Sequence, residues 1–176
     1  TLGVSAGGTL RGVTTVTTNA AGLASFGGIA ISGAAASYTL TVTSPGLAPD
    51  VSGAISLSAG LPTTLTIATQ PSASGQSGIA LAQQPVLQVR DDAGNALAQA
   101  GITVAASVLS GPGGTLRGQS SIQTDVNGTA VFTNLNLFGA LGGYTLKFDG
   151  GAGGGLTAVN ANGITLAAGP AARLQL

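Results

Sequence analysis

The feature that most constrains this chain is that much of it is written twice. The block Gly113-Gly114-Thr115-Leu116-Arg117-Gly118 already stands at Gly7-Gly8-Thr9-Leu10-Arg11-Gly12, an offset of 106. The same offset pairs Gly128 with Gly22, Ala130 with Ala24, Phe132 with Phe26, Leu135 with Ile29, and Tyr144-Thr145-Leu146 with Tyr38-Thr39-Leu40. Past the tyrosine the offset is 109, because Ile164-Thr165-Leu166-Ala167-Ala168-Gly169 answers Ile55-Ser56-Leu57-Ser58-Ala59-Gly60. Three residues have therefore entered one loop, the glycine-rich run 150–155. A repeat at fixed spacing decides architecture before any local signal does, and a unit of 109 residues is too long for a solenoid coil and right for a small domain. On this count 1–59 is the latter part of one repeat, 60–168 a complete repeat and 169–176 the start of a further one. The chain reads as a window on a longer array; the rival is a subunit completed head to tail by its neighbour.

Helix signals are nearly absent. Glycine is 30 of 176 residues, and apolar residues alternate with period two, as in half-buried strands. In the complete repeat the pattern predicts strands at 63–69 (Leu65 and Ile67 on one face), 85–91 (Leu87, Val89), 102–108 (Ile102, Val104, Ala106, Val108), 115–124 (Leu116, Ile122), 129–137, 143–149 (Tyr144, Leu146, Phe148) and about 157–167. Within 129–137 the parity slips by one between Phe132 and Leu135, and the other copy repeats the slip between Phe26 and Ile29, which asks for a bulge or strand end near Thr133 and Asn134. The partial repeat gives the same series from its third strand on, at 9–18, 23–31, 37–43 and about 51–58, with Leu2 and Val4 matching the end of that third strand. At the other end, Ala171-Ala172-Arg173-Leu174-Gln175-Leu176 matches the opening of a first strand. Seven strands in such a unit, with a turn signal every 8 to 12 residues or so, predict an all-β, immunoglobulin-like β-sandwich repeated in tandem.

The residues also carry a resemblance. Leu135-x-Leu137 followed by Gly143-Tyr144-x-Leu146 is similar to the immunoglobulin pattern in which a tyrosine stands two residues before a cysteine, with Leu146 in the cysteine's place. Leu65-x-Ile67-x-x-Gln70-Pro71, Gln84-Pro85-x-x-Gln88-Val89-x-Asp91-x-x-Gly94-Asn95 and Thr124-Asp125-x-Asn127-Gly128-x-Ala130-x-Phe132 resemble the bacterial Ig-like repeats of the invasin-like kind. The resemblance implies tandem domains of large bacterial surface or secreted proteins, acting as stalks, adhesin rods or fibre subunits, and an extracellular or cell-surface location. The cysteine pair and tryptophan of the antibody pattern are missing, so apolar packing alone must hold the sheets.

Composition narrows the chemistry. With no Cys, His or Glu, catalysis would have to be built from five Asp, one Lys, hydroxyls and two Tyr. Only 6% of residues are charged, against ~25% in an ordinary soluble domain. The net charge is zero and the cations are scattered singly, which excludes the basic surface that nucleic-acid binding requires. No apolar run reaches the ~18 to 20 residues of a membrane helix. A surface so poor in charge favours association, so the expected partners are other copies or neighbouring repeats, packed over small-residue faces such as Thr103, Ala105 and Ser107. The partial repeat is expected to expose the most apolar surface.

Candidate sites are few. In a seven-strand sandwich the second-to-third, fourth-to-fifth and sixth-to-seventh strand loops share one pole, and those loops hold Asp91, Asp92, Asn95, Asp125, Asn127 and Asp149. Asp91, Asp92, Asp125 and Asp149 are thus candidate ligands for calcium, a hard cation that takes carboxylate and carbonyl oxygens. Against this, Asp and Asn are the residues that turns favour, and the other copy has Asn19 and Thr43 where Asp125 and Asp149 stand. Lys147 raises the thought of a Lys–Asn cross-link, but its parity points it outward. Asn127-Gly128-Thr129 is formally a glycosylation sequon, read here as a turn; the glycine-rich run lacks the strand-to-helix context of a phosphate loop; Tyr38 and Tyr144 read as core tyrosines with bonded hydroxyls.

The sequence therefore predicts a structural repeat of a bacterial surface or extracellular fibre or stalk, without catalysis or cofactor unless calcium binds at the pole. The alternative is an adhesin module gripping a glycan or protein through the loops of one pole. An enzyme using two of the clustered Asp as acid and base stands last, since no cleft-forming insertion is visible.

Overall fold

The computed structural model describes residues 1–150 and 155–170. The core of the glycine-rich insertion, 151–154, and the expected strand opening at 171–176 lie outside the described residues. The described chain is all-β, with no helix and hence none long and apolar enough to cross a membrane. It separates into two compact units, one of Thr1–Gly60 with Ala93–Asn95, the other taking up Leu61–Asp92 and continuing from Ala96.

The first unit holds β1 (Leu2–Val4), β2 (Gly8–Arg11), β3 (Ala30–Gly33), β4 (Ser37–Tyr38), β5 (Leu40–Val42), β6 (Asp50–Val51) and β7 (Ile55–Ser56). They form three small antiparallel sheets, β1-β5-β6, β2-β3 and β4-β7. The strands expected at 9–18 and 23–31 are much shorter than their patterns, since residues 12–29 contain no strand. Among the described residues of this unit only Leu2 and Tyr38 are buried apolar side chains, while Val13, Leu23, Val42, Leu47, Val51 and Ile55 are exposed.

The second unit holds β8 (Thr64–Thr69), β9 (Ser74–Gln76), β10 (Val86–Arg90), β11 (Thr103–Ser110), β12 (Gly114–Arg117), β13 (Ser121–Gln123), β14 (Thr129–Val131), β15 (Asn136–Gly139), β16 (Gly142–Asp149), β17 (Val159–Asn160) and β18 (Ile164–Ala167). One sheet runs β14-β10-β8; a larger one runs β13-β11-β16-β18-β9, with β17 also on β16; β12 and β15 form a separate ribbon. A single apolar core lies among them, in the manner of a sandwich: Leu65, Leu87, Val89 and Ala130 come from the first sheet, and Val104, Tyr144, Leu146, Phe148, Ile164 and Leu166 from the second. The period-two reading of β10 and β16 holds, because alternate residues of both strands are buried. Phe132 is fully buried, and its ring lies 5.5 Å from that of Phe148, tilted by 55°.

Three departures from the sequence pattern have local causes. The strand expected at 115–124 is cut into β12 and β13 at Gly118, whose φ of +82° lies in the left-handed region and whose position a Cβ could not share with the Asn134 carbonyl. The strand expected at 129–137 is cut into β14 and β15 where the parity slips. There Asn134, at φ +57°, is the one non-glycine left-handed residue among those described. The glycine-containing β9, for which the pattern gives no strand, lies parallel to β18, with Ser74 opposite Thr165 and Gln76 opposite Ala167.

The two units share their hydrogen-bonded pairs as well as their sequence. In β2-β3 Gly8 faces Gly33, Thr9 Ser32, Leu10 Ile31 and Arg11 Ala30; in β12-β15 Gly114 faces Gly139, Thr115 Phe138, Leu116 Leu137 and Arg117 Asn136. Every member of the second set is its counterpart in the first moved by 106 positions. Tyr38 faces Ile55 as Tyr144 faces Ile164.

Candidate functional site

The four Asp of the complete repeat were the strongest chemical candidates, and the structure gives each a different surrounding. Asp91 directly follows β10 and is 4% exposed, whereas the adjacent Asp92 is exposed. Asp149 closes β16, and its carboxylate lies 3.4 Å from the Lys147 ammonium on the same strand, both side chains more than a third exposed. Asp125 sits at the turn between β13 and β14. Its Oδ1 accepts the backbone N–H groups of Asn127 and Thr129, both at 2.9 Å. Among the described residues no three carboxylates come together in a group that could hold a metal ion. A calcium cage asks for several oxygens at roughly 2.3 to 2.6 Å, and Asp125 Oδ1 is engaged by two backbone N–H groups.

The counterpart turn explains what Asp125 does. Asn19 Oδ1 accepts the N–H groups of Ala21 and Leu23, both at 3.0 Å, so a neutral amide makes the bonds that the carboxylate makes in the other copy. The backbone bonds match too: Gly22 N–H donates to Asn19 O at 2.9 Å, and Gly128 N–H to Asp125 O at 3.0 Å. A side chain replaceable by asparagine with the same geometry is fixing a turn.

The remaining candidates also serve the backbone. Lys147 is half-buried on β16 and bonded to Asp149, so a buried lysine for a cross-link is not present at this position. In the sequon Asn127 is exposed, but the Thr129 hydroxyl donates to Gln88 Oε1 at 3.1 Å. Both tyrosines are buried with bonded hydroxyls. Tyr144 Oη lies 2.7 Å from Ala140 O and 2.6 Å from Gly113 O, and Tyr38 Oη 2.8 Å from Ala34 O and 3.5 Å from Gly7 O.

Two glutamines carry more of the structure than the sequence reading assigned them. Gln84 Nε2 donates to the carbonyls of Leu81 (2.8 Å) and Leu135 (3.1 Å), while its Oε1 accepts the Leu135 N–H at 2.9 Å. It bolts the start of β15 just past the left-handed Asn134. Gln88 Nε2 lies within 3.1 to 3.2 Å of the carbonyls of Val89, Leu97, Asn127 and Gly128, so two protons are shared among four acceptors. Both stand in the motif Gln84-Pro85-x-x-Gln88-Val89, each an uncharged polar residue beside apolar strand positions. Amide groups withdrawn from water must find partners, and here most of them are carbonyls outside the strands, of Leu81, Leu97, Leu135, Asn127 and Gly128. Arg117, over the Phe138 ring at 3.7 Å from its centroid, is likewise engaged within the unit.

No family model and no curated protein matches the chain. Among solved structures it is similar to a crystal structure of a beta-glycosidase from Bacteroides vulgatus, with 18% identity and a TM-score of 0.47 over 78% of this chain. The chain spans 18% of the length of that protein.

Proposed function

We propose that this chain consists of immunoglobulin-like modules acting as structural repeats of a bacterial cell-surface or extracellular fibre or stalk, associating with copies of themselves and performing no chemistry. The observation that carries this reading is the recurrence, at one offset, of the same ribbon, the same turn and the same tyrosine bonds in both units. A tyrosine near the start of a late strand, bonded to the carbonyl four residues upstream, is the corner found in immunoglobulin-like sandwiches. The parallel seating of β9 on β18, with β8 leaving for the opposite sheet, fits the same architecture. Asp125 and Gln84 spend side-chain bonds on backbone of their own unit, as expected of a scaffold. The resemblance to invasin-like repeats supplies the bacterial surface.

Association follows from the charge count, for natural sheets guard edges with charged side chains and only 6% of this sequence is charged. Small-angle scattering over a concentration series tests it. Apparent mass should grow with concentration at low and at moderate salt alike, because apolar and backbone contacts resist screening. A constant monomeric mass up to millimolar concentration would refute self-association.

A further inference from the structure

We infer that Asn162-Gly163 is a site at which the chain deamidates itself, with the backbone nitrogen of Gly163 as nucleophile and water as the only co-reactant. Of the asparagines in the sequence, only Asn127 and Asn162 are followed by glycine. Glycine favours the reaction because it has no Cβ to crowd the approach of its nitrogen to the preceding side chain. The two dipeptides are chemically the same, and the structure surrounds them in opposite ways.

The peptide group that joins Asn127 to Gly128 is held at both ends. Its carbonyl, Asn127 O, accepts Gln88 Nε2 at 3.1 Å, and its N–H donates to Asp125 O at 3.0 Å. Gly128 is buried in the left-handed region at φ +72°, and a Cβ there would strike Leu97 O. A nitrogen fixed in this way cannot turn towards the side chain before it. Asn162 and Gly163, by contrast, lie between β17 and β18, and both are exposed. Among the described residues none accepts the Gly163 N–H and none donates to Asn162 O. The Asn162 N–H is engaged by Gln70 Oε1 at 3.0 Å, but that group takes no part in ring closure. A Cβ built on Gly163 would meet nothing beyond its chain neighbours closer than Tyr144 O at 4.0 Å, so the peptide group has room to turn.

In the reaction Gly163 N attacks Asn162 Cγ. The new N–Cγ bond closes a cyclic imide, the Cγ–Nδ2 bond breaks, and the amide nitrogen leaves as ammonia with the proton that Gly163 N gives up. Water then adds to one of the two imide carbonyls. Opening at one restores the original main chain with an aspartate at position 162, and opening at the other routes the main chain through the side chain as isoaspartate. Either product puts a carboxylate where an amide stood, which takes the formal net charge from zero to minus one. Isoaspartate also lengthens the main chain just before Ile164, which is buried and faces Tyr144. The chain turns over no substrate in this reaction, so the inference goes beyond the scaffold reading and does not rest on it.

The test is a time course of the 176-residue chain at mildly alkaline pH, where the attacking nitrogen loses its proton more readily. Peptide mapping by mass spectrometry, with fragmentation that separates aspartate from isoaspartate, reads both sites in one sample. In the folded chain Asn162 should convert at least about tenfold faster than Asn127, because the Gly128 N–H must first leave a hydrogen bond inside its turn. In concentrated urea the two should convert at similar rates, since the dipeptides are the same and the surroundings that distinguish them are gone. Gly163→Ala should slow conversion at Asn162 and leave Asn127 unchanged. Gln88→Ala, which frees Asn127 O, should speed conversion at Asn127 and leave Asn162 unchanged. A ratio of the two rates that is the same in the folded chain and in urea would overturn the inference. So would an Asn162 that stays intact in the folded chain while Asn127 converts.

Discussion

Phe132 and Phe26 are the same residue at two addresses, and truncating each to alanine measures what the covering strands contribute. Phe132 is fully buried, packs on the Phe148 ring and stands beside Leu87 and Ala130 in one core. A buried Phe→Ala change costs about 3 to 5 kcal/mol from lost transfer energy and the cavity left behind. The tilted ring pair, worth about 0.5 to 1.5 kcal/mol beyond its area, puts Phe132→Ala in the upper half of that range, near 4 kcal/mol. Phe26 is half-buried in a unit with little core. Part of its ring is already in water and its surroundings can collapse, so Phe26→Ala should cost about 1 to 2 kcal/mol at ~25 cal/mol per Å². The chain has no tryptophan and one tyrosine in each unit. Urea unfolding followed by tyrosine fluorescence therefore reads the second unit in a Tyr38→Phe background and the first in a Tyr144→Phe background. With m of about 2 kcal/mol/M, Phe132→Ala should lower the midpoint by about 2 M and Phe26→Ala by less than about 1 M, m being unchanged. Equal shifts at the two positions would refute the reasoning, because they would mean that burial in the structure does not track energy.

Gly118→Ala and Gly12→Ala should each destabilise their unit by more than about 1 kcal/mol, since both glycines have positive φ and a Cβ would strike the carbonyls of Asn134 and Gly28 respectively; denaturant midpoints check this, and a neutral result at either would contradict the bend. Asn134→Gly should be neutral or slightly stabilising, because the other copy has Gly28 there at φ +64°, whereas Asn134→Val should cost about 1 to 3 kcal/mol in the same assay. Asp125→Asn should leave the melting temperature unchanged with calcium or with chelator, as Asn19 makes the same two bonds, and Asp125→Ala should cost about 0.5 to 1.5 kcal/mol; a melting temperature that falls on chelation in the parent and not in Asp125→Asn would return the carboxylates to a metal role.

What the sequence made legible was whatever rests on period and repetition. The inward faces of β10 and β16 follow from alternation alone, and the strand end near Asn134 from a parity slip that both copies share. The lengths of the strands in the first unit were not legible, because a pattern records which residues suit a strand and not whether a neighbour is present to pair with it. Leu23, Ala24 and Phe26 carry the alternation of β14 and form no strand. The turn role of Asp125 was hidden for a related reason. Topology brings three loops to one end, but whether a carboxylate is available there depends on its nearest N–H groups, and those of Asn127 and Thr129 are too local to appear in any spacing rule.

Register shows the same limit from another side. In the second unit Val108 faces Leu146, and Ala106 faces Phe148. In the first unit Val4 faces Leu40 and Leu2 faces Val42, the counterparts of Leu146 and Phe148, and Leu2 N–H donates to Thr14 O at 2.7 Å as Ala106 N–H donates to Ser120 O at 2.8 Å. The pairing is the same in both units, although the stretch from Val4 to Gly7 is two residues shorter than that from Val108 to Gly113. A shift of one would turn every side chain of the strand to the opposite face, and the apolar pattern forbids it; a shift of two keeps each side chain on its face, and the pattern is blind to it. The choice then falls to other constraints. β11 is held between β13 and β16, with a bulge between Val108 and Ser110, and β1 is held by β5 and by the bond from Leu2 N–H to Thr14 O. The two copies thus settle in one register although the following loops differ in length, because partners on either side of the strand fix the pairing that the apolar pattern leaves open.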